Sequence, residues 1–218
     1  MAISETAAFL LLPAAYLLGS ISFAYLAGRL KGIDLRQHGS CNLGATNAGR
    51  VLGGQWFALV FTLDVLKGLA PVLAAHLLAT AAELTPGQRT WLLLGTATAA
   101  ILGHVYTCFH GFKGGKAVAT SLGALVALVP WVALAAFGAW LVAWLICWLG
   151  FRLGKAGSVA PASVVAAIAT PVAHLRMTPQ PWSAADLPLT VFLLLLATLV
   201  VVKHRSNLHK LFSTKAAT

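Results

Sequence analysis

Apolar residues run along this chain in stretches too long and too unbroken for the alternating faces of a soluble fold. Apolar runs cover about 6–28, 51–80, 90–109, 117–150, 158–175 and 187–202, close to or above the roughly 20 residues that span a hydrocarbon core. The fourth run is too long for one crossing. Pro130, followed by Trp131 and with Trp140, Trp144 and Trp148 beyond it, predicts a break at an interface into two shorter crossings. The pattern therefore predicts an all-α integral membrane protein with seven transmembrane helices, one polytopic membrane domain over 1–218. The first run keeps Pro13 and Gly19 inside it and shows no small-residue cleavage site after a basic segment. It reads as an anchor rather than a removed signal peptide.

Composition agrees with the pattern. Hydrophobic residues make up 59% of the 218 and charged residues only 9%, against roughly a quarter charged in soluble domains. A water-soluble domain and a disordered tail are both excluded. The 15 Lys and Arg against 5 Asp and Glu leave a net charge of +10, which on a soluble protein would point to nucleic acid.

In a membrane chain such an excess is first a question of topology, because short cytoplasmic loops retain Lys and Arg. With the N-terminus outside and the C-terminus cytoplasmic, one side holds Arg29, Lys31, Arg36, Arg50, Lys113, Lys116, Arg152, Lys155, Lys203, Arg205, Lys210 and Lys215. The other holds Arg89 and Arg176 beside Glu5, Glu83 and Asp186, and Lys67 falls within the second crossing. Six crossings would put the last two basic segments on the wrong side. The charge is explained without nucleic acid.

Hydropathy does not explain the polar clusters on the basic side. Segment 36–50 places Gly39, Gly44 and Gly49 among Ser40, Asn42, Thr46 and Asn47, and ends on Arg50. Glycine turns let successive amides converge on an anion, and Arg supplies a bidentate fork for phosphate. Composition alone leaves a flexible turn equally open.

A second cluster, Gly111 to Thr120, contains Lys113, Gly114, Gly115 and Lys116 ahead of an apolar run, which predicts free backbone amides and a cation at a helix N-terminus. A topological anchor would explain its lysines but not its paired glycines. Lys116 is followed by Ala117, so the phosphate loop of nucleotide triphosphatases does not fit.

After the last crossing, His204 and Asn207 share a face if the helix continues; an interfacial histidine is the plainer alternative. Ser158, near Arg152, Lys155 and Gly157, is either a helix cap or a ligand. Asp64 and Lys67, three residues apart at membrane depth, read as a mutual ion pair. His104, after Gly103, lies about two turns before the glycine–lysine loop, whereas His76 and His174 near outer ends read as packing or interface residues.

The histidines lack zinc spacing, carboxylates are too few for an oxygen-ligand site, and Cys41, Cys108 and Cys147 form no framework. The expectation is a cytoplasmic anion site with no metal and no cofactor.

Taken in order, these residues resemble the bacterial membrane acyl-phosphate:glycerol-3-phosphate acyltransferases, the PlsY family. The resemblance rests on Gly19-Ser20, on Gly39 to Asn47 with Arg50, on Asp64, Lys67 and Gly68, on Gly103-His104, on Phe112 to Lys116 with Val118-Ala119-Thr120, and on His204 to Asn207. Three positions depart from the family pattern: Cys41 and Ala117 stand where glycine is usual, and Thr107 where proline is common. If position 41 needs a positive φ, cysteine imposes strain.

The resemblance implies acyl transfer from a fatty acyl phosphate to the 1-hydroxyl of glycerol 3-phosphate, giving lysophosphatidic acid and inorganic phosphate. It implies a bacterial inner-membrane enzyme of phospholipid synthesis whose site faces the cytoplasm and whose partners are those two substrates and membrane lipid. Ser40, Lys116, His204 and Asn207 become the candidate catalytic residues. The binding set is Ser40, Asn42, Thr46, Asn47, Arg50, Lys113, Gly114, Gly115, Lys116, Ser158, His204 and Asn207.

In this reading Lys116, Arg50 and His204 neutralise phosphate, and Ser40, Thr46, Asn47, Ser158 and Asn207 orient the substrates. Asp34, the lone cytoplasmic carboxylate, gives no Ser-His-Asp triad, so an acyl-enzyme on Ser40 is disfavoured. The proton goes to His204 or to a substrate phosphate oxygen, and the resemblance favours the substrate. A transporter of small phosphorylated anions is the alternative. It would want cations near mid-membrane and an internal repeat, whereas these cations cluster at one face and no repeat is seen. A lipid phosphate phosphatase would leave the glycine-rich loops unexplained.

Overall fold

The computed structural model describes residues 4–215, with side chains through residue 209; the side chains of Lys210 and Lys215 lie outside the described residues. The described secondary structure is helical, and the chain divides into two compact units, 1–129 and 130–218. Among the described residues, six stretches are long and apolar enough to cross a membrane: Glu5–Leu30, Gly54–Ala81, Pro86–His110, Pro130–Gly150, Lys155–Met177 and Leu187–His209. Large apolar side chains such as Leu10, Leu77, Trp131 and Leu195 point outward, as lipid-facing surfaces require.

In the first unit the opening stretch is three helical pieces, α1 (Glu5–Phe9), α2 (Leu11–Ser20) and α3 (Phe23–Leu30). The sequence pattern predicts one continuous crossing here, and the break at Ile21 is the difference. Ile21 adopts extended backbone, and the Ser22 hydroxyl accepts from the Tyr25 N–H at 3.2 Å, restarting the helix as an N-cap.

A loop leads to α4 (Ala45–Leu52), which turns at Gly53 into α5 (Gly54–Ala81). α6 (Pro86–Val105) starts on a capping box, in which Thr85 and Gln88 exchange side-chain and backbone bonds and Pro86 sits at the first position. A short turn at Cys108–His110 and the Gly114–Gly115 loop lead to α7 (Val118–Leu128). Its 11 residues rise only about 16 Å at 1.5 Å each. The predicted break at Pro130 is present, but the helix before it is shorter than a hydrocarbon core is thick.

Two helix crossings organise this unit. α2 meets α6 at Gly19 and Gly103: a Cβ on Gly19 would strike the Ala100 carbonyl, and one on Gly103 the Tyr16 carbonyl. α5 meets α7 in the same reciprocal way, Gly68 against the Thr120 carbonyl and Gly123 against the Val65 carbonyl. Lipid supplies no hydrophobic drive between helices, so association depends on backbones approaching this closely.

The second unit consists of α8 (Pro130–Leu145), which ends in a wider π-turn at Ile146–Gly150, α9 (Lys155–Met177) and α10 (Leu187–Lys215). Indole N–H groups tie α8 to α9: Trp140 donates to the Ser163 hydroxyl at 3.3 Å and Trp144 to the Lys155 carbonyl at 3.0 Å. The His174 Nε2 lies 2.9 Å from the Thr190 hydroxyl, joining α9 to α10. His174 is thus the packing residue its position predicts.

Gly103→Ala and Gly68→Ala should each cost about 1–3 kcal/mol, because the added methyl meets backbone that cannot rotate away. Gly138→Ala, with open space around it, should be neutral or stabilising by up to about 1 kcal/mol. Unfolding midpoints in detergent check both; an unshifted Gly103→Ala midpoint would contradict the tight crossing.

Candidate active site

The sequence reading treats 36–50 as a loop, but its second half is helical. Thr46, Asn47 and Arg50 lie on α4, a short amphipathic helix whose apolar face (Ala45, Ala48) is buried with Leu35, Leu43 and Val60. Ser40 and Arg50 are exposed, and Asn42 and Thr46 are partly so.

Asn47 is buried, and its amide is committed to the loop. Its Oδ1 accepts from the Ser40 N–H at 2.7 Å, while its Nδ2 donates to the carbonyls of His38 at 3.0 Å and Leu35 at 3.2 Å. Gly39 passes so close that a Cβ would strike the Asn47 Oδ1, and its φ of +65° favours glycine independently. Asn47 therefore shapes the loop that presents Ser40. Asp34 is likewise engaged: Arg36 forks onto its carboxylate at 2.6–3.1 Å and holds its pKa down at about 2.

Tyr25 of α3 stands between this loop and the turn after α6. The Arg36 guanidinium lies 5.0 Å from its ring centroid and the His110 ring 4.3 Å away.

The glycine–lysine loop differs from expectation in one respect. The Gly114 N–H donates to the Val105 carbonyl at 3.1 Å, and the Gly115 N–H to the His104 carbonyl at 2.9 Å. These amides close the C-terminal end of α6 and are not free for an anion. The paired glycines answer to space instead: a Cβ on Gly114 would strike the His104 carbonyl, and one on Gly115 the His104 imidazole at Nε2. The first-turn amides of α7, Val118 to Thr120, are the ones without intrahelical partners by position. Lys116 is half-buried just before them and Lys113 is exposed.

Beneath this loop lies a buried charged group. Lys67 Nζ is 2.7 Å from Asp64 Oδ1, the ion pair predicted by their spacing, and both side chains are almost wholly buried. Two further contacts escape sequence reasoning. Lys67 Nζ donates to the Ile21 carbonyl at 2.7 Å, and His104 Nδ1 approaches Asp64 Oδ1 to 3.7 Å. Thr107 donates to the Ser20 carbonyl at 2.6 Å and accepts from the Phe109 N–H at 3.2 Å. Only its departure from the family's proline signalled it.

In the second unit, α10 does continue through the 204–207 segment, so His204 and Asn207 share a face. The His204 Nδ1 donates to the Val200 carbonyl at 2.8 Å. Ser158 is not a cap: Gly154 occupies that position, and the Ser158 hydroxyl donates to the Gly154 carbonyl at 2.8 Å within the first turn of α9.

Apolar spans joined by glycine crossings, with polar loops at their ends and a charged pair buried within one of them, define a polytopic integral membrane protein. Residues 9–214 match the family described as glycerol-3-phosphate acyltransferase. The chain is 42% identical over 198 residues to the glycerol-3-phosphate acyltransferase of Synechococcus elongatus, covering 90% of this chain and 87% of that one. It is 41% identical over 201 residues to that of Aquifex aeolicus, covering 91% and 92%. The crystal structure of PlsY, an integral membrane glycerol 3-phosphate acyltransferase, in its glycerol 3-phosphate form superimposes with a TM-score of 0.79 at 37% identity, over 95% of this chain and 93% of that chain. The chain belongs to the glycerol-3-phosphate acyltransferase family.

Both unusual non-glycine residues sit in left-handed backbone, Cys41 at φ +57° and Ala117 at φ +71°. Such a conformation costs a side-chain-bearing residue about 1–2 kcal/mol, and glycine returns about 0.5–1 kcal/mol of that as backbone entropy. Cys41→Gly, at an exposed position, should therefore stabilise by about 0.5–1 kcal/mol. Ala117→Gly also gives up a buried methyl worth about 0.8 kcal/mol and should come out near zero. Paired unfolding curves in detergent check the contrast, which fails if Cys41→Gly destabilises.

Proposed function

We propose that this chain transfers a fatty acyl group from acyl phosphate to the 1-hydroxyl of glycerol 3-phosphate, releasing lysophosphatidic acid and inorganic phosphate at the cytoplasmic face of a bacterial inner membrane. The observation that carries this reading is family membership over nearly the whole chain, together with the donor-rich loops of the first unit. α7 acts as a seventh, short crossing. With it and an external N-terminus, twelve of the fifteen Lys and Arg fall on one side, as the retention of cations in cytoplasmic loops favours.

The hydroxyl of glycerol 3-phosphate attacks the acyl carbonyl, the bond from that carbon to the phosphate oxygen breaks, and the hydroxyl proton passes to a phosphate oxygen of the substrate. Arg50 and Lys116, with Lys113 nearby in sequence, supply positive charge for phosphate. A cation held at the start of α7, where first-turn amides add their dipole, is well suited to that task. Ser40, Asn42 and Thr46 contribute hydroxyl and amide donors. Asn47, Gly114 and Gly115 act by shaping the loops, since their polar groups are already bonded within the protein. His204, Asn207 and Ser158 are proposed as substrate-binding residues from family membership. The commitment of Asp34 to Arg36 agrees with a mechanism that uses no carboxylate relay.

The purified protein, given palmitoyl phosphate and glycerol 3-phosphate, should release inorganic phosphate and form lysophosphatidic acid. Arg50→Ala and Lys116→Ala should each lower kcat/KM by at least about 100-fold, a loss of about 2.7 kcal/mol of transition-state stabilisation. His204→Gln separates the proton acceptors, since near-parental activity would exclude His204 as an essential base. Release no faster than from the Arg50→Ala variant would overturn the assignment.

A further inference from the structure

The buried Asp64–Lys67 pair has no role in the substrate chemistry above, yet it occupies the junction of the segments around Lys116. Burying two charges is costly, and an apolar pair of similar volume would pack α5 at least as well. What an apolar pair could not do is reach the neighbouring backbone. Lys67 Nζ bonds Asp64 and, at 2.7 Å, the Ile21 carbonyl exposed by the break between α2 and α3; it also lies 5.4 Å from the Phe23 ring. From the other side Asp64 comes within 3.7 Å of His104 Nδ1. The opposite edge of that imidazole abuts the Cα of Gly115, and the His104 and Val105 carbonyls receive the Gly115 and Gly114 amides. One turn further along α5 from Asp64, Gly68 packs on the Thr120 carbonyl and so sets the first turn of α7. Lys116 therefore lies between two anchor points, and both are set by the face of α5 that carries the pair.

We propose that Asp64 and Lys67 are positioning residues. The pair orients His104 and locks the Ile21 break, so that the Gly114–Gly115 loop holds Lys116 in place for acyl transfer. The kinetic part rests on the acyltransferase reading; the structural part does not.

The test uses the full-length protein in detergent. Lys67→Met alone would leave a buried carboxylate uncompensated, so the primary variant is the neutral double substitution Asp64→Asn/Lys67→Met. The Ile21 carbonyl loses its donor at a cost of about 1–3 kcal/mol, so the variant should stay folded with a thermal midpoint within about 10 °C of the parent. Amide hydrogen exchange at Gly114 and Gly115 should become at least about tenfold faster. With the two substrates, kcat should fall at least about tenfold while KM for glycerol 3-phosphate stays within about threefold.

His104→Gln, which removes the imidazole between Asp64 and Gly115 without touching the pair, should give the same exchange signature and serves if the double variant does not fold. Parental exchange at Gly114 and Gly115 in a folded variant would overturn the proposal. So would faster exchange with an unchanged kcat. If the parent protein itself releases no phosphate, the acyltransferase reading fails, and the exchange rates still decide whether the pair anchors the loop.

Discussion

A carbonyl that leaves its helix inside a hydrocarbon slab has no water to turn to, so some other group in the protein must take it. The first unit depends on how this is met at Ser20 and Ile21. Thr107 donates to one carbonyl and Lys67 to the other, and Ser22 starts the helix again. Because Thr107 follows α6 and Lys67 belongs to α5, these two bonds join the broken first stretch to both of its neighbours. A lysine at that depth in turn requires a counter-charge, which Asp64 supplies from three residues away. The ion pair is thus a consequence of the broken helix as much as a feature of α5.

Glycine meets the same constraint from the side of packing. At the α2–α6 and α5–α7 crossings, backbone lies against backbone with no room for a methyl. Gly19 and Gly103 flank the carbonyls that Thr107 and Lys67 bond, and Gly68 adjoins Lys67 itself. Close approach and polar satisfaction occur at the same places, because a short threonine or a lysine amine can reach a neighbour's carbonyl only where the helices nearly touch.

Apolar run length made the spans, the break at Pro130 and the Asp64–Lys67 pair legible in the sequence. The break at Ile21 was not legible. Its residues are apolar enough to continue a helix, and the groups that stabilise the interruption come from positions 67 and 107, far away along the chain. The same separation explains the misreading of Gly114 and Gly115. Locally they look like an open anion cradle, but their partners are carbonyls at the end of the preceding helix. Asn47 presents the same case on α4, where a donor-rich side chain spends its capacity on the loop before it. The continuation of α10 through His204 and Asn207, which the sequence leaves conditional, agrees with a segment in which nothing interrupts a helix.

The net charge of +10 divides along these lines. Most of the cations lie outside the apolar runs of the sequence. Arg36 is held by Asp34 and stacks on Tyr25, so its charge is spent locally, and Lys67 is spent on Asp64 and a backbone carbonyl. Arg50 and Lys113 are exposed, and Lys116 is half-buried at the start of α7, each in a segment whose shape is fixed by other residues: Asn47 and Gly39 for the first loop, His104 and the paired glycines for the second. A cation that must meet a phosphate needs its backbone already in position. The neutralised charge inside the fold supplies that position to the charges at its edge, so the same chain can place one lysine in a buried ion pair and another at the start of a helix.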